Sequence, residues 1–258
     1  MTQINTRRAD GHAVLVPEHK GICMLGAAAA ITAVLLFLAD IAISAGGGDM
    51  NPGPMTAIDW FGLFQANSLS GLRMLGIINI ASLIICIPLY FALYTVHRQF
   101  CRSYAALALI LYLLGAAIYI SNNAAIPMYV LNSKYMAASA EAQKALLAAG
   151  EAIVAKGADF TPGSFIGFFL TELAGIAFSM IMLSSGIFGK TTAFIGIMGF
   201  LFLSVFTIWM TFNPVFFDVA MIIAMLGGLM STAWYILAAR GLTKLGKSNF
   251  TQYERRLS

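Results

Sequence analysis

Six stretches of the chain are almost wholly apolar: Gly21 to Ala45, Met74 to Val96, Ser103 to Val130, Ser164 to Ile187, Thr191 to Phe212 and Pro214 to Ala239. About 20 such residues carry a helix across a hydrocarbon core of roughly 30 Å. A membrane β-barrel would instead alternate apolar and polar positions over strands of about 10 residues, and these runs are continuous and longer. The pattern predicts an all-α membrane protein, a six-transmembrane-helix bundle. Between the runs, polar positions are confined to short connections and to two longer ones.

Composition sharpens this picture. The 258 residues are 60% hydrophobic and 10% charged, with a mean hydropathy of +0.84, against roughly 45–50% apolar and about 25% charged in a soluble domain. A water-soluble enzyme and a disordered chain are excluded, and three cysteines do not make a disulfide scaffold. Charge then sets orientation, because cytoplasmic loops carry the excess of lysine and arginine. With the N-terminus inside, Arg7, Arg8, Lys20, Arg98, Arg102, Lys190, Arg240, Lys244, Lys247, Arg255 and Arg256 fall on the cytoplasmic side. Arg73, Lys134, Lys144 and Lys156 fall outside. Both termini are therefore expected to be cytoplasmic, and the net charge of +4 is explained by the inner leaflet without a nucleic-acid partner. The first run exceeds the 7–15 residues of a signal-peptide core and is expected to be a retained anchor. The chain divides into a cytoplasmic arm (1–20), the transmembrane domain (21–241) and a basic tail (242–258).

The two long outer connections carry their own signals. Gly46-Gly47-Gly48-Asp49 and Asn51-Pro52-Gly53-Pro54 break any helix, and Ala57 to Phe64 follows as an aromatic, apolar segment suited to the headgroup level or to a lid. In the second connection, Asn132 or Ser133 can cap an alanine-rich amphipathic helix running through Lys156, with Glu141 and Lys144 spaced to pair. Thr161-Pro162 and Asn213-Pro214 each read as a cap followed by proline at the first helical position. Pro88 is expected to kink the second run.

Polar groups inside the hydrocarbon cost roughly 2.5–3.5 kcal/mol when charged, so each is a candidate functional site. Glu172, Asn79, Asn122, Asn123 and Asp40 come from four different runs and all fall in the outer half of the membrane, with Arg73 nearby at the interface. A carboxylate there either stays protonated or pairs with a cation, for which Arg73 is the nearest in depth. These six residues line a ligand pocket open to the outside, or they serve as hydrogen-bonding glue between helices. Asp218 suits the first turn of its helix, where the dipole favours an anion.

The signatures of common enzymes are missing. His12, His19 and His97 all lie on the cytoplasmic side, so neither a bis-histidine haem nor a metal cluster is expected. Cys23, Cys86 and Cys101 form no C-x-x-C and read as reduced thiols. There is no phosphate-binding glycine loop, no G-x-S-x-G and no H-E-x-x-H.

Ile87-Pro88-Leu89-Tyr90-Phe91-Ala92-Leu93-Tyr94 before a basic turn, the alanine-rich stretch from Ala137 to Ala149, and Ser184-Ser185-Gly186 to Lys190 leading into Gly196 resemble a bacterial family of six-span membrane proteins known only as a domain of unknown function. The likeness covers roughly Leu72 to Ala239. Where family members often carry a Pro-Arg pair after the inner turn, this chain has Lys190-Thr191-Thr192-Ala193. The resemblance implies the same six-helix architecture and assigns no catalytic residues.

The residues thus point to a non-enzymatic protein of the bacterial inner membrane, without cofactor, in contact with membrane lipids. It would bind a lipid-like or small hydrophobic ligand in its outer half, or act as an accessory subunit among other membrane subunits. The alternatives are a small-solute secondary transporter with Glu172 as its protonatable site, and an intramembrane hydrolase or transferase built on Asp40 and Glu172.

Overall fold

A computed structural model describes residues 17–47, 55–213 and 217–247. The N-terminal arm to residue 16, residues 48–54 of the breaker run that starts at Gly46, residues 214–216 and the tail from residue 248 lie outside the described residues. Among the described residues every regular element is helical: α1 (Pro17–Gly47), α2 (Ala57–Ala66), α3 (Ser68–Met74), α4 (Ile77–Asn122), α5 (Ala125–Ala137), α6 (Ala140–Gly157), α7 (Pro162–Ser185), α8 (Lys190–Phe212) and α9 (Phe217–Lys247). Five helical stretches are long and apolar enough to cross a membrane: His19–Ser44, Ile77–Ala137, Ala140–Ser185, Lys190–Phe212 and Phe217–Lys247. The second and third of these run across breaks in the helix.

The long α4 is a hairpin. Its backbone leaves helical geometry at Cys101 (φ −147°, ψ 71°), and residues from either side of that point meet. The Tyr112 hydroxyl donates to the Leu83 carbonyl at 2.6 Å, and the Tyr90 and Tyr112 rings stack with centroids 3.7 Å apart. In a straight helix, residues 83 and 112 would be roughly 44 Å apart. Pro88, where a kink is expected, keeps helical dihedrals and gives up only the hydrogen bond to the Ile84 carbonyl, so the helix itself fails at Cys101.

The long helices form a ring in the order α1, α4, α7, α8, α9 and back to α1, with the hairpin as one of its members. The centre is aromatic, with Tyr90, Tyr112, Phe178 and Trp234 all buried. Phe200 meets Trp234 edge-on at 5.1 Å. Outward-facing positions such as Leu35, Leu107, Met180 and Leu229 stay exposed and apolar, as lipid-facing positions do. At the end bearing Lys20, Arg98 donates to His19 Nε2 at 2.6 Å and ties α1 to α4.

At the opposite end a second, smaller core forms a cap from α2, α3, α5 and α6 around Trp60, Phe61, Phe64, Leu75 and Met128. Thr56 caps α2: its backbone N–H donates to Asp59 at 2.8 Å and its hydroxyl bonds the same carboxylate, which holds Asp59 below the usual carboxylate range. Glu151 of α6 accepts the Ala57 N–H at 2.8 Å, so α6 satisfies the first turn of α2 from outside.

Two boundaries differ from the sequence pattern. The third run ends at Asn122, and Ala125–Ala137 forms the separate α5, with Pro127 in a first turn where its missing N–H has no role. The amphipathic helix begins at Ala140, not at Asn132 or Ser133. Ala138 and Ser139 are both extended (ψ 154° and 158°), and Gln143 donates to the Tyr135 carbonyl that the break exposes. Asn132 is instead buried inside α5. The Thr161-Pro162 start of α7 is found as the pattern predicts.

The hairpin and α7 approach through glycine. A Cβ on Gly167 would lie 2.6 Å from the Tyr119 Cβ and 2.9 Å from its backbone, whereas one on Gly62 would meet nothing. Gly167→Ala is therefore expected to destabilise the detergent-solubilised protein by about 1–3 kcal/mol. Gly62→Ala should be neutral or stabilising by up to about 1 kcal/mol. Thermal unfolding of the two variants checks the contrast.

Candidate functional site

The sequence-selected polar residues gather into separate hydrogen-bonded groups. The largest lies where the capping layer meets the bundle. Asp159, in the turn between α6 and α7, accepts at both carboxylate oxygens, from the Tyr119 hydroxyl at 2.6 Å and from Asn79 Nδ2 at 3.0 Å. Asn123 Nδ2 donates to the same Tyr119 hydroxyl at 3.1 Å and to the Leu75 carbonyl at 2.8 Å. Its Oδ1 accepts the Ala125 N–H at 2.8 Å and starts α5. Tyr119 thus donates to one partner and accepts from another, which is the full in-plane use of a phenol.

Backbone geometry makes room for this group. Gly76 (φ 87°) adopts the left-handed conformation that glycine reaches without penalty. A Cβ there would run into the Tyr119 hydroxyl and would stand 3.0 Å from Asn123 Nδ2 and 3.1 Å from Asp159 Oδ1. Phe160, next to Asp159, is the one residue other than glycine with a positive φ among the described residues, at 61°. Such a conformation costs a bulky residue about 1–3 kcal/mol, and it is held by edge-on packing on Phe206 at 5.1 Å. The Ala124 N–H reaches the Gly157 carbonyl at 2.9 Å, and Asn122 Nδ2 donates to the Gly163 carbonyl at 3.2 Å. Asn122 and Asn123 therefore stand at the end of α4, where Asn123 Oδ1 takes the Ala125 N–H and the amide groups of both residues bond carbonyls of other segments.

The other candidates lie in two further groups. Arg73 Nη1 donates to Asp40 Oδ1 at 3.2 Å and to the Ser44 hydroxyl at 2.6 Å, linking α3 to α1. Asp40 is near enough to Asp159 for the two carboxylates to repel, so this pair borders the first group. Glu172 instead faces α8: Thr207 donates to its Oε1 at 2.7 Å, and Ser204 stands beside the same buried carboxyl. Arg73 is thus the partner of Asp40 and not of Glu172, and Glu172 shares no partner with Asn79 or Asn122. The carboxyls of Asp40 and Glu172 belong to different helix pairs.

Asp159 was not singled out by sequence, and Tyr119 was only one of four tyrosines, with Tyr90, Tyr94 and Tyr112, that could line a pocket or simply pack. Asp159 sits in a connection, just before the Thr161-Pro162 start, and Tyr119 belongs to a run crowded with aromatic residues. The available signal was the i, i+4 spacing of Tyr119 and Asn123, which puts both on one helix face. Among the described residues no three histidine, cysteine or acidic side chains are grouped to hold a metal ion. Two shallow cavities, of about 330 and 360 Å³, lie at the other end of the bundle. In the outer groups, donors and acceptors from different chain segments face each other.

Comparison of the chain with protein-family models, with curated proteins and with solved structures gives no match.

Removing the shared acceptor is expected to be costly. Asp159→Ala leaves Tyr119 and Asn79 without it, at about 1–3 kcal/mol for each unsatisfied donor. Its melting temperature should fall well below those of Tyr119→Phe and Asn79→Ala.

Proposed function

We propose that the protein is a six-span integral protein of a bacterial inner membrane, with both termini cytoplasmic, acting without catalysis as an accessory subunit of a larger membrane complex. The observation that carries this reading is the closed group around Asp159: its polar side chains bond one another, so the outer half is built as a clasp and not as a ligand pocket. The six-span count is supported by the α4 hairpin. Ile77 to Phe100 and Arg102 to Asn122 would each rise roughly 30–36 Å as helices, enough for one crossing apiece. The orientation is supported by Lys20, Arg98, Arg102, Lys190, Arg240, Lys244 and Lys247, which share one end of the bundle. Membership of the six-span family of unknown function belongs to the same proposal, supported by the turn after Pro88 and the alanine-rich α6.

One observation favours a second reading. The buried carboxyl of Glu172, which pairs with no cation among the described residues, suits a site that takes up and releases a proton, as a small-solute transporter would require. In liposomes under an imposed pH gradient, that reading expects proton flux that Glu172→Gln abolishes; the accessory reading expects none above empty liposomes.

Two measurements test the main proposal. In a cysteine-free background, an impermeant maleimide applied to spheroplasts should label Lys144→Cys, and should reach Arg102→Cys and Lys244→Cys only after permeabilisation. Labelling of Arg102→Cys and Lys144→Cys from the same side would remove the second crossing of α4. Native electrophoresis after mild solubilisation should show a particle larger than detergent-bound monomer of 27.6 kDa. A monomer in every mild detergent tried would contradict an accessory role.

A further inference from the structure

The two cavities lie at the cationic end, away from the clasp. The first, of about 330 Å³, opens between α1 and α9 and is lined by Ile31, Ala239, Arg240, Thr243 and Lys244. Arg240 and Lys244 are one helical turn apart and exposed, and among the described residues neither makes an ion pair or a hydrogen bond. Thr243 adds a hydroxyl between them. Lys244 also borders the second cavity, between α8 and α9, beside Thr192, so it lines both clefts. Every carboxylate whose side chain is described lies toward the opposite end of the bundle or within the half of a span nearer that end. The positive potential here therefore has no internal counterweight among those side chains.

An arginine fork, a hydroxyl and an ammonium around one concavity are the chemistry of a phosphate site. The rest of the cavity argues for the source of that phosphate. Its α1 wall is Ile31, and Leu35 on α1 and Ile236 on α9 continue the exposed apolar surface away from the cations. Arg240 lies seven residues from the end of α9, about 10 Å along the axis. The cleft is thus cationic toward the helix ends and apolar toward the middle of the bundle, which matches a lipid lying alongside α9. We propose that the α1–α9 cleft binds the phosphate headgroup of an anionic phospholipid, with Arg240, Thr243 and Lys244 on the headgroup and an acyl chain along Ile31 and Leu35. The site does not depend on the accessory role and would serve a transporter equally.

Native mass spectrometry of the detergent-purified full chain tests it, with phosphatidylglycerol, phosphatidylcholine and inorganic phosphate as separate probes. Phosphatidylglycerol should bind in preference to phosphatidylcholine. Each charge removed by Arg240→Gln or Lys244→Gln should weaken its binding about fivefold, and the double variant roughly 25-fold. The charge-keeping pair Arg240→Lys and Lys244→Arg should retain most of the binding, which separates loss of the site from loss of the fold. Lys134→Gln with Lys144→Gln, at the opposite end, should change nothing. Equal binding of the two lipids, or undiminished phosphatidylglycerol binding by the folded double variant, overturns the site. Inorganic phosphate displacing phosphatidylglycerol at equal concentration overturns the lipid as the ligand.

Discussion

A carboxylate brought to the edge of a hydrocarbon layer must find donors, because losing water without replacement costs an ionised group several kcal/mol. Asp159 meets that constraint by drawing the Tyr119 hydroxyl and the Asn79 amide onto its two oxygens. These donors come from the two arms of one hairpin, and the acceptor comes from the turn that begins α7. A single group therefore fixes three chain segments at one level. Asn123 extends the hold to the Leu75 carbonyl and to the first N–H of α5. Charge-assisted hydrogen bonds of this kind are worth roughly 1.5–3 kcal/mol each, more than the interhelical bonds of neutral side chains in membranes, which average about 0.6 kcal/mol.

Much of the outer architecture follows from this arrangement. With the end of α4 held, α5 departs at a new angle, and α6 returns over it to bond α2 through Glu151. The left-handed turns at Gly76 and Phe160 stand on either side of the clasp, one permitted by glycine and the other held by ring packing. Deeper in the bundle, association rests on different means: glycine contacts between the hairpin and α7, and the buried rings of Tyr90, Tyr112 and Trp234. Glu172 and Thr207 form a separate polar contact between α7 and α8. The molecule thus has a polar lock at one end, an aromatic middle and a cationic opposite end.

The all-helical, membrane-embedded character was legible in the runs themselves, since only their length and continuity were needed. Helix starts with strong local grammar, such as Thr161-Pro162, were legible too. What was not legible depended on partners distant in sequence. The end of α4 is set by Asn122 and Asn123 bonding Gly163 and Leu75, and no local pattern marks that. Asn79, Asn123, Asp40 and Arg73 stood out as polar groups in apolar surroundings. Their grouping required Asp159, which looked like an ordinary loop residue because it lies just outside an apolar run. Glu172 was conspicuous for the same reason as the others, yet similar depth did not put it on the same face. Depth along a helix can be counted from sequence; the direction a side chain points within a bundle cannot.

The central claim is that the outer polar residues act as one cooperative clasp, and a double-mutant cycle between Tyr119→Phe and Asp159→Asn addresses it most directly. Unfolding free energies of the wild type, the two single variants and the double variant should show a coupling of about 0.5–3 kcal/mol, as residues sharing one hydrogen-bonded network do. Strictly additive effects of the two substitutions would contradict the account.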